Sequence, residues 1–324
     1  MDTSLARIQH TAPADGESFA HSLLTGLHKT PKEIACKFFY DETGSRLFDA
    51  ICELPEYYQT RTETALLKRH AAEIAALMGH GVEIVEFGAG SLRKVRILLD
   101  AAQDPRAYTP LDISGDYLNS VVRSLAADHP TLALRPMVAD FTRPLEIPVL
   151  PGQDPNTSRR AGFFPGSTIG NFKPDAAMAL LRRMRTTLNG GGLLIGVDMV
   201  KDPARLHAAY NDAAGITALF NKNLLARANR ELGADYELDA FAHYAPYNAG
   251  AHRIEMYLIS LKRQSVTLGG QHFEFSQGEP VHTEDSHKYT IESFREMACR
   301  AGFNPRAVWT DEERLFSMHW LESR

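Results

Sequence analysis

The chain has 324 residues, 44% hydrophobic and 23% charged, an ordinary globular composition that excludes a disordered or fibrous protein. With 35 Lys and Arg against 40 Asp and Glu the formal net charge is −5, so the basic surplus of a broad nucleic-acid surface is missing. No apolar run is long enough for a membrane helix, residues 1–7 lack a secretory pattern, and Cys36, Cys52 and Cys299 are too few for a disulfide framework or zinc site, so a reduced cytoplasm is the expected compartment.

Residues 1–35 are polar and weakly periodic, a loose arm or short helices. Two aromatic clusters follow, Phe38-Phe39-Tyr40-Asp41 and Leu54-Pro55-Glu56-Tyr57-Tyr58-Gln59-Thr60-Arg61, unusually close together for a linker. Thr60 and Glu63 have capping-box spacing, so a helix is predicted from Thr60, with Leu66, Ile74, Leu77 and Met78 on its apolar face and Gly79 as its stop. A strand over 82–87 runs into Gly88-Ala89-Gly90, and a helix pattern resumes from Ser91 to Leu99. Beside that turn lie Arg93, Lys94 and Arg96, whose ordinary reading is a solvated helix face. Then come a strand (107–112), a helix (117–127), a strand (133–138) leading to Asp140-Phe141, a loop (151–160), a strand (161–164), a helix (175–188) and a strand (193–197). Such alternation implies a parallel sheet with right-handed crossovers. Near residue 200 it breaks. Helices are predicted over 206–211 and 224–232 and antiparallel-type strands over 253–258 and 271–275. A helix over 290–301 and two final strands within 306–321 end the pattern.

A Gly-x-Gly turn between strand and helix exposes backbone N–H groups and lets a ligand approach closely. The six-residue dinucleotide pattern is absent because position 93 is Arg, and no Walker pattern is present. Asp112 ends the next strand, where a carboxylate can accept both hydroxyls of a ribose. Asp140 ends the third, with Phe141 beside it, a pair that suits an adenine amine and ring. Strand-end acids also cap helices, but three chemistry-bearing positions in register at successive strand ends point to one ligand. An adenosyl group without a phosphate loop points to S-adenosylmethionine. Pro165-Gly166-Ser167-Thr168-Ile169-Gly170-Asn171-Phe172 follows the fourth strand, where Asn171 faces the transferred methyl group or else caps the helix from Pro174.

With these motifs in view the chain resembles the L-histidine Nα-methyltransferases of the ergothioneine pathway, which convert histidine to trimethylhistidine (hercynine). The resemblance spans nearly the whole chain. It rests on Phe39-Tyr40-Asp41, Leu54-Pro55-Glu56-Tyr57-Tyr58 with Thr60-Arg61, Glu86-x-Gly88-x-Gly90, Gly166-Ser167-Thr168-Ile169-Gly170-Asn171, Arg253-Ile254-Glu255-Met256 and Thr283-Glu284-x-Ser286. It implies a Rossmann-like class I methyltransferase domain (62–199 and 288–324) and a smaller α+β domain for the amino acid (1–61 and 200–287). It implies that Tyr40, Gly88, Lys94, Asp112, Asp140 and Phe141 hold S-adenosylmethionine. Tyr57, Asn171, Tyr210, Glu284 and Ser286 would hold the amino acid, with Met256 lining its ring.

No metal is expected. The partner is a small amino acid, with neither nucleic acid nor membrane, and the chain is expected to be a monomer or weak homodimer. Tyr57 and Asn171 are the candidate catalytic residues, orienting carboxylate and amine so that a neutral amine meets the methyl group in line with the sulfur. Glu284 and Ser286, two apart on a strand, share a face and can serve the two imidazole nitrogens. Tyrosines tolerate a growing quaternary cation. His282, Asp285 and His287 flank that pair and leave a sister enzyme for another aromatic amino acid, such as tryptophan, as one alternative. A non-catalytic S-adenosylmethionine-binding protein is another. A metal-dependent enzyme fits poorly, because His282 and His287 lack a third ligand.

Overall fold

The computed structural model describes residues 9–10, 18–90, 92–150, 152, 154 and 159–324; the side chains of 9, 10, 116, 117 and 119–121 are not described. The predicted helix start at Ser91, residues 1–8 and 11–17 of the arm over 1–35, and most of the loop over 151–160 lie outside these residues. The chain forms two compact units, Met1–Ala12 with Gln59–Val200 and Lys288–Arg324, and Pro13–Tyr58 with Lys201–His287.

The first unit is a doubly wound sheet. Along one path its strands are Gln9–His10, Met137–Val138, Ala107–Asp112, Glu83–Phe87, Arg160–Phe164, Gly192–Asp198, Phe316–Ser323 and Phe303–Thr310, with Ala133–Leu134 also paired to Ala107–Asp112. All pairings are parallel except those of Phe316–Ser323, which runs antiparallel to both neighbours. The central strands are buried on both faces, which is why apolar residues fill consecutive positions in them rather than every second one. Alternate residues feed two cores. Ile84, Phe163 and Leu194 pack with Leu67, Val95, Leu98 and Leu125 on one side. Val85, Phe164 and Ile195 pack with Leu181, Met184, Phe294 and Phe303 on the other. The helices Tyr58–Met78, Arg93–Ala101 and Gly115–Asp128 supply the first layer, and Pro174–Leu188 and Ile291–Arg300 the second. The chain leaves Glu83–Phe87 to one side and returns on the other, so a topological switch point lies at the carboxyl ends of the central strands, where ligands of such sheets bind.

Three local expectations are corrected. The long helix starts at Tyr58, not at a Thr60 cap, and Glu63 is fully buried rather than closing a capping box. The strand over 133–138 is two pieces, Ala133–Leu134 and Met137–Val138, broken where Pro136 has no N–H for the ladder. Asn171 does not cap the helix Pro174–Leu188, whose cap residue is Lys173 with Pro174 at its first position.

The second unit carries a five-stranded sheet, Tyr247–Asn248, Arg253–Ser260, Pro280–His287 and Lys32–Glu33 in path order, with Phe241–Tyr244 paired to Arg253–Ser260. A separate hairpin joins Gln264–Leu268 and Gln271–Phe275. Its helices are Phe19–Leu27, Glu42–Cys52, Pro203–Tyr210 and Ile216–Leu232. Asp41 caps Glu42–Cys52 by accepting from the Gly44 N–H at 2.7 Å, and Asn223 of Ile216–Leu232 donates to the same oxygen at 2.8 Å. No helix among the described residues is long and apolar enough to cross a membrane.

Candidate active site

In the first unit the Gly-x-Gly turn follows the strand Glu83–Phe87. Gly88 and Gly90 have φ of +78° and +46°, a region that glycine enters without strain. The turn is tied to the neighbouring strand, because the Gly88 and Ala89 N–H groups both donate to the Leu111 carbonyl, at 2.9 and 3.0 Å. A Cβ on Gly88 would meet the Phe141 ring at 3.4 Å, so turn and ring lie side by side. Asp112 accepts the Gly90 N–H at 3.3 Å on one oxygen and the Ser114 N–H at 2.8 Å on the other. Burial raises its carboxyl above the usual range against the lowering effect of those backbone bonds. Hydroxyl donors from a ribose diol would oppose the same burial penalty, so the group fits. Asp140 accepts from the Thr142 backbone N–H at 2.9 Å and its hydroxyl at 2.5 Å, so it also builds its own turn.

Just below the turn, Glu86 is buried and takes the Tyr108 hydroxyl as donor. Burial pushes its carboxyl well above the usual range, more strongly than the Tyr108 bond and the Lys94 charge pull it down. Lys94 is paired with Glu63, and the same carboxylate accepts the Gly166 N–H at 3.0 and 2.9 Å on its two oxygens. Arg96 does match the ordinary reading, pairing at the surface with Asp128 and Ser124. The segment from Pro165 turns through Gly166 and Ser167, with φ of +76° and +56°, into a 3-10 turn Thr168–Asn171 that ends on half-buried Asn171. The Asp198 N–H donates to Ser167 Oγ at 2.8 Å. Asp198 is itself buried, paired with the buried Lys288 ammonium at 2.8 Å and accepting from Gln59 at 3.4 Å.

In the second unit Tyr57, Tyr210, Met256, Glu284 and Ser286 are all buried. Tyr210 ends the helix Pro203–Tyr210, and its hydroxyl meets Ser286 Oγ at 2.7 Å. Its carbonyl faces His243 Nε2 at 2.8 Å, and the other nitrogen of that ring faces Asn221 at 2.9 Å. Burial, then Tyr210, Cys52, Tyr40 and Glu284 nearby, push the Tyr57 phenol well above its ordinary value, so it stays a neutral donor. Tyr40 packs edge-on against Phe48 and Phe220, both at 5.7 Å, and so lies in this unit with the tyrosine group.

Glu284 and Ser286 pair in register with Met256 and Ile254. The register shifts between Met256 and Tyr257, making Thr283 an extra residue whose hydroxyl donates to the Met256 carbonyl at 3.1 Å. Cross-strand partners share a face. Glu284 and Ser286 therefore lie on one face, and His282, Asp285 and His287 on the other, where they pair with Tyr257, Glu255 and Arg253. Asp285 contacts His282 at 3.1 Å and Arg253 at 3.2 Å. Burial raises its carboxyl, but the His282 bond and the His282 and Arg253 charges outweigh it and lower the value. Sequence reasoning missed Glu63, Ser167, Asp198 and Lys288. The one signal for Glu63 was its place three and four positions before Leu66 and Leu67 on an apolar helix face. Among the described residues no group of three or more His, Cys, Asp or Glu is placed to hold a metal ion.

A doubly wound sheet closed by an antiparallel strand, with a glycine turn and strand-end acids at its switch point, defines an S-adenosylmethionine-dependent methyltransferase. A family model for histidine-specific, SAM-dependent methyltransferases matches residues 19–323, and the chain belongs to that family. It is 40% identical over 324 residues to a histidine N-alpha-methyltransferase of Mycolicibacterium smegmatis, covering 98% of each chain. To the histidine N-alpha-methyltransferase of Mycobacterium tuberculosis it is 38% identical, covering 94% of this chain and 96% of that one. It is also 28% identical to ergothioneine biosynthesis protein 1 of Neurospora crassa, over 86% of this chain and 32% of that longer protein.

Proposed function

We propose that the protein transfers methyl groups from S-adenosylmethionine to the α-amino group of free L-histidine, three times in succession, giving trimethylhistidine for ergothioneine biosynthesis. In this reading residues 62–199 and 288–324 bind the cofactor and 1–61 and 200–287 the amino acid. The observation that carries it is the polar pair on the Glu284 face: a buried carboxylate and, two residues on, a hydroxyl already bonded to Tyr210. One imidazole nitrogen donates to Glu284 and the other accepts from Ser286. A phenyl ring offers neither group a hydrogen bond, and an indole offers one donor and no acceptor, so only an imidazole matches both. The names of the relatives support the acceptor, and that of the Neurospora protein supports the pathway.

S-adenosylmethionine supplies an activated methyl group. Gly88, Asp112, Asp140, Phe141 and Lys94 are the first-unit residues that would hold it, with Tyr40 as the sixth. The remaining chemistry is positioning. Asn171 and Tyr57 orient the carboxylate and amine, Tyr210 gives a hydroxyl donor, and Met256 lines the ring. A neutral phenol at Tyr57 leaves the amine in a site without a competing phenolate, and tyrosine faces stabilise the quaternary product. Purified protein with S-adenosylmethionine and histidine is expected to yield, by mass spectrometry, a product about 42 mass units heavier, three steps of roughly 14 each. A product stopping one step up removes the trimethylation. Mass gain on tryptophan but none on histidine removes the acceptor assignment.

A further inference from the structure

Glu63 stands outside every site described for the reaction, yet it is wholly buried and touches three separate segments. It projects from the helix Tyr58–Met78 and pairs with Lys94 on the helix that follows the glycine turn. Both its oxygens accept the Gly166 N–H, at 3.0 and 2.9 Å, in the segment that ends on Asn171. It also lies against the strand Gly192–Asp198, where a Cβ on Gly196 would overlap Glu63 Oε1. The strand thus carries a glycine where the carboxylate needs room. A buried carboxylate costs several kcal/mol unless it is paired and hydrogen-bonded, and these contacts satisfy it.

We propose that Glu63 is a positioning residue that sets the Lys94 ammonium toward the cofactor and fixes the Gly166–Asn171 turn toward the acceptor. The proposal rests on the functional reading above for the roles of Lys94 and Asn171. One carboxylate then does two separable things. Its charge holds a flexible lysine, and its length reaches a fixed backbone N–H.

The two roles come apart in two conservative variants. Glu63→Gln keeps the reach and an acceptor oxygen but loses the charge. Glu63→Asp keeps the charge but withdraws it by about 1.5 Å, one carbon–carbon bond; a lysine follows such a shift, a backbone N–H does not. For E63Q, calorimetry with S-adenosylhomocysteine is expected to show binding about tenfold weaker, with the KM for histidine within about twofold of the parent. For E63D the pattern inverts, with S-adenosylhomocysteine affinity within about threefold and kcat/KM for histidine down about tenfold. Thermal unfolding checks that each variant is folded, and if one is not, the pattern of the other decides alone. Parent-like values in a folded variant overturn the proposal, as does equal loss of both functions in both variants, which marks a merely structural residue. A parent that binds S-adenosylhomocysteine but leaves histidine unmethylated sinks the functional reading instead, and the E63Q binding arm, which needs no acceptor, still decides the role of Glu63 toward Lys94.

Discussion

In the proposed function two side chains decide what the second unit recognises. Glu284 and Ser286 are separated by Asp285, which strand alternation turns to the other face, and the Thr283 bulge turns His282 to that face as well. Those neighbours form a self-contained polar group with Arg253, so they are satisfied without a ligand. Replacing Glu284 with Ala removes a charge-assisted hydrogen bond to the ring, worth roughly 1.5–3 kcal/mol. A fall of about ten- to a hundredfold in kcat/KM for histidine is expected, with S-adenosylhomocysteine affinity unchanged by calorimetry. Tyr210→Phe removes only the hydroxyl that meets Ser286, and a milder loss of about fivefold is expected, near 1 kcal/mol. Unchanged histidine kinetics in E284A would remove the imidazole role.

At the scale of elements, the end of the strand Gly192–Asp198 is held by charge as well as by its ladder. Asp198 and Lys288 are an ion pair with no exposed side-chain surface, backed by Gln59 and by the Asp198 N–H to Ser167. Lys288→Met leaves the carboxylate buried without its cation, and a loss of about 3–5 kcal/mol is expected in denaturant titrations. The pair Asp198→Asn with Lys288→Met is expected to recover most of it, because no unpaired charge then remains. None of this was legible in the sequence, since the partners lie far apart along the chain. What was legible were elements whose pattern is local. The parallel strands are apolar on both faces and bounded by glycines, and the helix after Asn171 carries its proline at the start. The helix Glu42–Cys52 went unread although Asp41 and Gly44 have cap spacing, because the aromatic cluster before it masks the period. The Thr283 bulge went unread for a different reason: it exists only relative to the register of Arg253–Ser260. The candidate residues were therefore visible as types and spacings, while the contacts that orient them were not.

At the scale of the whole molecule, two buried groups pull the acid response in opposite directions. His319 is pushed down to about 3, first by burial and then by the Arg295 charge. Its folded value lies below the unfolded 6.5, so its contribution is fully present above pH 6.5 and is lost as pH falls toward 3. Glu86 has a folded value raised above the unfolded 4.5, so its contribution is fully present below pH 4.5 and is lost as pH rises. Above pH 4.5 and up to the raised folded value of Glu86, unfolding releases the Glu86 proton while it takes one up at His319, and each transfer is worth up to about 1.4 kcal/mol per pH unit. Glu86→Gln removes that counterweight. Its unfolding free energy is expected to fall on acidification by up to about 1.4 kcal/mol per pH unit more steeply than the parent's. Equal slopes for the two proteins in denaturant titrations at pH 5 and 6.5 would show that Glu86 is not protonated in the folded state. A last consequence concerns the order in which the chain is made. The strand Phe316–Ser323 is wedged between Gly192–Asp198 and Phe303–Thr310, and the whole of the second unit's segment 201–287 is synthesised between them. A nascent chain that has already produced every parallel strand still has Gly192–Asp198 as a bare sheet edge, a template for unwanted pairing. Completion of the first unit thus waits on translation far downstream, and an interruption after residue 300 strands a ribosome product with its sheet open.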